Sequence, residues 1–191
     1  MNLISKKSFM MVALLLAVES VSASDTVYGL FEGGLVDQNN NNFTAKLIHD
    51  KLTLVDFIFT NCPGPCPVQS AKLVKVREAL GRQAENLTFV SVTIDPARDN
   101  YRELKTYALR LQADHPNWFW LSGSKDALST LKKGFGVMIR DNKLADGAID
   151  HSLGVTLVDP KGRILLRYAG ANIEPARILR DVRQFLAQTE R

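Results

Sequence analysis

The sequence predicts an α/β fold in three layers, a mixed central sheet between helices with an extra N-terminal β-hairpin. Three observations carry that expectation. Short apolar runs rich in β-formers alternate with stretches of helical periodicity, which implies parallel strands joined by crossovers. The last two apolar runs flank a tight turn instead of a helix, which adds an antiparallel pair. The chain of 191 residues, 46% hydrophobic and 23% charged, has the composition of one globular domain.

Composition also excludes function classes. Twelve Gly and seven Pro are too few for a low-complexity chain. The 24 basic and 20 acidic side chains leave an excess of +4 spread along the sequence, so no nucleic-acid partner is expected. Two cysteines exclude a disulfide-dense scaffold and a Cys-rich zinc module. At the start, Lys6 and Lys7 precede an apolar run from Phe9 to Val18, and small residues follow to Ser22-Ala23. That order is a secretory signal peptide, too short to span a bilayer at about 20 residues. Residues 1–23 are therefore expected to be a cleaved leader and residues 24–191 a single mature domain. The product is expected to be soluble, periplasmic and monomeric, touching a membrane only through a partner or an uncleaved leader. Its cysteines would meet an oxidising compartment.

Each element has its own signal. The polar stretch Asp37 to Asn42 separates Leu35-Val36 from Phe43-Thr44, a small hairpin. Residues 52–59 form a nearly continuous apolar run, the pattern of a strand buried on both faces. From Cys66 to about Gly81 the pattern is helical, with Leu73, Val76 and Leu80 on one stripe and Lys72, Lys75 and Arg82 opposite. Residues 87–94 are a second core strand, ended by Asp95-Pro96. Asn100 with Glu103 resembles a capping box for a helix through Tyr101, Leu104, Ala108 and Leu111. Residues 118–121 are a third strand, and Ser124 caps a helix that ends at Gly134 and Gly136. Strands at 155–158 and 164–168 flank Asp159-Pro160-Lys161-Gly162, a type I turn. Pro175 opens the last helix. A thioredoxin-like sandwich fits this order.

Both cysteines fall in Cys62-Pro63-Gly64-Pro65-Cys66-Pro67, between the first core strand and its helix. Ligands gather outside the carboxyl ends of strands in open α/β sheets. A thiol at a helix N-terminus is expected to be acidified by the dipole, and Cys66 occupies that place. Three intervening residues leave room for two thiolates on one ion and still permit a disulfide. Of the three histidines, His49 and His115 read as surface residues. His151 lies just before the strand at 155–158, a loop that packs beside the strand-to-helix turn in a thioredoxin-like fold. Two thiolates and one imidazole make a soft site suited to Cu(I), and His also accepts Cu(II). Zinc would require a fourth ligand or water. Spacing alone leaves a structural disulfide open, and His151 alone also reads as a structural histidine.

The segment Phe57-Ile58-Phe59-Thr60-Asn61-Cys62-Pro63-Gly64-Pro65-Cys66-Pro67 resembles the copper-site segment of the Sco/SenC proteins. Residues 91–99, Trp120-Leu121-Ser122-Gly123, Asp150-His151-Ser152 and Val158-Asp159-Pro160-Lys161-Gly162 agree with the same family. The resemblance implies a thioredoxin-fold copper chaperone of cytochrome c oxidase assembly, with Cys62, Cys66 and His151 as copper ligands. It implies binding of Cu(I) and Cu(II) and transfer to a copper-accepting oxidase subunit, or to another periplasmic copper protein. Some members act as thiol-disulfide reductants for the recipient's cysteines. Two departures stand out: Gly64-Pro65 replaces a commonly acidic residue and its small or apolar neighbour, and the leader looks cleavable where many members keep an anchor.

The competing reading is a metal-free thiol-disulfide oxidoreductase, in which Cys62 attacks and Cys66 resolves. A third is a structural domain stapled by its disulfide, whose short loop gives little entropic gain. Asp150 and Asp95 are candidates to orient a ligating histidine, although Asp95 before Pro96 also reads as a turn cap.

Overall fold

The computed structural model describes residues 26–143, 149–152, 154–170 and 173–189, with residues 140–143, 149–151 and 189 described by backbone alone. The expected leader lies outside them. Among the described residues no helix is long and apolar enough to cross a membrane.

One mixed sheet of seven strands organises the chain. Its parallel centre is β3 (Leu52–Ile58), β4 (Leu87–Thr93) and β5 (Trp118–Gly123). All seven residues of β3 and all seven of β4 are buried, as their unbroken apolar runs require of strands covered on both faces. Beside β3 lies the antiparallel strand β8 (Gly154–Val158), which pairs in turn with β9 (Ile164–Ala169). The turn between β8 and β9 closes with the Gly162 N–H donating to the Asp159 carbonyl at 2.9 Å, and Gly162 takes a φ of +78°. On the far edge, the hairpin of β1 (Leu35–Val36) and β2 (Asn42–Phe43) docks antiparallel on β5, with Leu35 opposite Gly123. The expected N-terminal hairpin is thus an extension of the central sheet.

Among the described residues four α-helices cover the sheet: α1 (Pro65–Leu80), α2 (Tyr101–Arg110), α3 (Lys125–Phe135) and α4 (Pro175–Thr189). Neighbouring residues of a strand face opposite ways, and β3 shows which helix lies where. Asp56 meets Gln69 of α1, whereas the next residue, Phe57, packs its ring 5.7 Å from Phe135 of α3. Hence α1 and α3 lie on opposite faces. The helix α2 shares the α1 face, since Tyr107 packs edge-on to Trp120, and Trp120 stacks with Trp118 at 5.5 Å. The expected caps are present: Asn100 accepts from the amides of Arg102 and Glu103, and Ser124 accepts from Ala127. Gly136 closes α3 in the left-handed region at a φ of +70°.

One element is additional to the expected order. A second, two-stranded sheet pairs β6 (Ile139–Lys143) with β7 (Ile149–His151), placing Ile139 opposite His151. It is tied to the segment before β8 by two bonds: the Met138 amide donates to Ser152 Oγ at 3.0 Å, and the Ser152 amide donates to the Met138 carbonyl at 2.9 Å.

Candidate metal and thiol site

The site begins where β3 runs out. Ladder pairing with β4 continues one step further, the Ile94 amide donating to the Ile58 carbonyl at 2.8 Å. The chain then turns, and the Cys62 amide donates to the Phe59 carbonyl at 3.3 Å. Thr60 fixes this turn. Its amide and hydroxyl both donate to the carboxylate of Asp99, which is fully buried and also accepts from the Thr93 hydroxyl at 2.5 Å. Ser122 of β5 donates to the Asp99 carbonyl at 2.6 Å, so the loop before the cysteines hangs from three strands at once.

Gly64 is the N-cap of α1, and Pro65 stands in the first turn, where a missing N–H costs nothing. The helix starts one residue before the expected Cys66. No side-chain oxygen caps it. Instead the Cys66 amide donates to Cys62 Sγ at 3.4 Å, so a sulfur accepts one of the orphan amides of the first turn. The two sulfurs are thiols, and both cysteines are buried, Cys62 at 7% exposure and Cys66 at 0%.

The expected acidification of Cys66 is overturned. Its thiol is pushed strongly up, first by its hydrogen bond to the Cys62 sulfur and then by burial. A backbone hydrogen bond at Phe59 opposes this, while the charges of Cys62 and Asp56 add to it. The helix dipole argument treated Cys66 alone. With a second sulfur beside it, the hydrogen bond to Cys62 and burial outweigh the dipole and raise the Cys66 thiol.

Asp56 is the residue that sequence reasoning passed over. Its carboxylate is buried in the middle of β3, accepts from Ser91 Oγ at 2.6 Å and from Gln69 Nε2 at 3.0 Å, and faces no cation among the described residues. Trp118 Nε1 donates to Ser91 Oγ at 3.0 Å, extending the chain of bonds. Burial raises the Asp56 carboxyl from 3.8 to about 6 against these two hydrogen bonds. The signal was an Asp standing alone in a strand otherwise rich in β-formers.

His151 ends β7, beside the segment leading into β8; the placement of its side chain, and of Asp150's, lies outside the described residues. Among the described side chains no three His, Cys, Asp or Glu converge as a metal site. His49 is exposed and stacks on Tyr28 at 4.3 Å, and His115 belongs to the loop before β5, its imidazole lowered by burial. Neither adjoins the cysteines in sequence or joins a metal cluster. Asp95 pairs with Arg98, and its amide donates to Thr93 Oγ1 at 2.9 Å, so it holds a turn.

The SCO1/SenC family profile matches residues 22–187. The chain belongs to the SCO1/SenC family. The SCO2-like protein of Rickettsia prowazekii is 32% identical over 144 residues, covering 73% of this chain and 68% of the relative. The aligned segment spans 66–68% of the length of the rickettsial relatives. The structure of Bradyrhizobium japonicum ScoI with copper bound superposes with a TM-score of 0.69 at 26% identity, covering 80% of this chain and 96% of that one. That of BsSco, a Sco family member of cytochrome c oxidase assembly with a disulfide switch, gives 0.69 at 25% identity, covering 81% and 91%. The thioredoxin-like expectation for the Sco/SenC chain is met by its mixed sheet and helices.

Proposed function

We propose that this Sco/SenC chain is an exported metallochaperone that binds copper through Cys62, Cys66 and His151. Its role is to deliver that copper to the copper site of a cytochrome c oxidase subunit, or to prepare that site's thiols. The observation that carries the reading is the pair of buried thiols on one turn, the Cys62 sulfur accepting the Cys66 amide in the first turn of α1. A soft monovalent copper ion prefers thiolate and imidazole donors, and both cysteines must release protons to serve. Copper is cargo in this scheme. A recipient's thiolates would replace the chain's own one at a time, so the ion need never be free.

The resemblance to a copper-bound ScoI supports the reading, as does the family's association with oxidase assembly. Export to the periplasm rests on the leader-like residues 1–23. The test is an anaerobic titration of the reduced protein with Cu(I) against a competing chelator. One tight equivalent is expected, lost in the triple variant Cys62→Ser, Cys66→Ser, His151→Ala. His151→Ala alone should weaken binding by roughly tenfold or more. Binding that survives the triple variant overturns the ligand set.

A second reading is favoured by the asymmetry of the pair. A Cys66 thiol that keeps its proton while donating to Cys62 suits a thiol-disulfide exchange in which Cys62 attacks first. This activity needs no His151, so an exchange rate unchanged in His151→Ala, without tight copper binding in the wild type, would favour it.

A further inference from the structure

We propose that the cavity between the end of α3 and the edge strand β9 is a docking pocket for an acidic side chain of a partner protein, held by Arg167. The carboxylate chemistry rests on the cavity alone. The choice of a protein as its source rests on the copper-transfer reading of the neighbouring His151 segment.

The cavity follows from strand register. One step beyond the pair of Asp56 and Val155, Phe57 of β3 stands level with Gly154 of β8, which pairs with Ala169 of β9. Phe57 shows its ring to the α3 face, where Phe135 covers it at 5.7 Å. Residues level with one another across a sheet share a face, so this row falls from a phenyl ring to a hydrogen and a methyl. The space above the two small residues is left open. The next row on the same face is Thr156 paired with Arg167. The result is a cavity of about 160 Å³, walled by Phe57, Phe135, Val137, Ser152, Gly154 and Arg167 among others. A hollow of roughly 150 Å³ holds a benzene molecule. This one therefore takes a side chain and is too small for a larger metabolite.

Arg167 supplies the chemistry. Its Nη1 donates to the Phe135 carbonyl at 2.9 Å, which closes the carboxyl end of α3 and fixes the guanidinium at the cavity wall. That bond uses one of five N–H groups. Among the described residues no carboxylate pairs with Arg167, and it is the one charged residue of the cavity lining. An apolar hollow with a single fixed guanidinium selects a carboxylate on a short apolar stem, since the planar fork matches two carboxylate oxygens. A phosphate dianion would call for a second cation. The side chain of Glu has the right charge, length and bulk.

The rim points to a protein as the source. Val137 in the wall leads directly to Met138, 64% exposed, and Ile139, 39% exposed, two large apolar side chains side by side in sequence. A free acid would leave them in water, whereas a docked protein surface covers them. Ser152, also in the wall, is bonded to Met138 and follows His151. A partner that comes to the His151 segment for copper meets this rim and the cavity together.

The experiment titrates 15N-labelled, reduced, metal-free protein with acetyl-Leu-Glu-Ala-amide, with the same peptide carrying Gln for Glu, and with acetate. The readout is the amide shifts of Gly136, Gly154 and Ala169. The Glu peptide should give saturating shifts, and the Gln peptide should bind at least about tenfold more weakly, the usual loss when a hydrogen bond to a charged group is given up. Arg167→Gln should bring the Glu peptide down to the level of the Gln peptide. Ala169→Leu fills the cavity from the exposed edge strand and leaves Arg167 in place, and it should abolish the shifts. Equal binding of the two peptides, or an unaltered Glu peptide in Arg167→Gln, overturns the proposal. Should Arg167→Gln not fold, unaltered binding in Ala169→Leu overturns it equally. Acetate that binds as tightly as the Glu peptide overturns the protein source, because the apolar rim then contributes nothing. Cu(I) titration of the same samples separates the two readings. Absent copper binding with intact peptide binding sinks the metallochaperone reading, whereas normal copper binding with no peptide shift sinks only this inference.

Discussion

Thr60, two residues before Cys62, hangs from Asp99 by both its amide and its hydroxyl. Asp99 is fully buried and takes a third bond from Thr93, so one carboxylate joins the loop to the end of β4. Its backbone carbonyl accepts from Ser122, which brings β5 into the same knot. Asp99→Ala would orphan three donors, at the amide of Thr60 and the hydroxyls of Thr60 and Thr93. We expect a loss of about 2–4 kcal/mol of stability, given the usual cost of breaking a buried charged network. We also expect faster alkylation of Cys62 as its loop loosens. Urea denaturation and iodoacetamide labelling would check both, and unchanged labelling would show that the loop holds without this anchor.

The asymmetry of the thiols predicts an order of modification. Cys66 is more deeply buried and its thiol is pushed up, while Cys62 accepts hydrogen bonds from Cys66. Thiolate is the reactive form. One equivalent of iodoacetamide on the native protein should therefore label Cys62 before Cys66, as read by peptide mass spectrometry. In urea the preference should vanish. Equal labelling in the native state would show that the proton is not held on Cys66.

Much of this fold was legible because its core strands and caps carry local signals. Residues 52–58 and 87–93 read as buried strands because both of their faces are covered, and Asn100 and Ser124 cap as their spacing indicates. The pair of β6 and β7 was not legible, since Ile139–Lys143 is largely polar and shows no alternation. The same holds for the site. Cys62 and Cys66 stand out by spacing, but nothing local marks Asp99 as an anchor, and Asp56 stands inside a nearly continuous apolar run. Their roles come from contacts 39 residues away at Thr60 and 35 residues away at Ser91, which no local period encodes. The acidity of Cys66 was misjudged for a related reason: a helix terminus is local, but the sulfur that reverses its effect arrives through the turn.

The docking of the N-terminal hairpin turns on Gly123. A Cβ there would stand 2.3 Å from the Gly34 carbonyl oxygen, which accepts the Ser124 amide at 2.9 Å. Gly34 itself has a φ of +74°, so its backbone cannot easily give way. Gly123→Ala should push the hairpin off the edge of β5 at a cost of about 1–3 kcal/mol, the usual range for overpacking. Limited proteolysis should then cut within residues 37–42 while the central strands stay protected. An uncut hairpin would mean that the edge tolerates the extra methyl.

Asp56 makes stability depend on pH with a definite sign. Its carboxyl is raised from 3.8 to about 6 on folding, mainly by burial. Between those values the folded protein holds a proton that the unfolded chain has lost. Stability therefore falls as pH rises through that window and levels off above about 6. A separation of this size corresponds to about 3 kcal/mol of cost at neutral pH. Asp56→Asn removes the charge and keeps the shape. Ser91 still has an oxygen to donate to, and Gln69 can turn its amide over to face the new NH2 group. The other carboxylates titrate in both proteins, so the quantity to read is the difference between variant and wild type in urea denaturation of reduced, metal-free protein. That difference should be small or negative near pH 4 and should grow in favour of the variant up to about pH 7. A difference that stays flat across the window would mean that the Asp56 carboxyl is not held up by burial, and its cost would then have to be sought in packing.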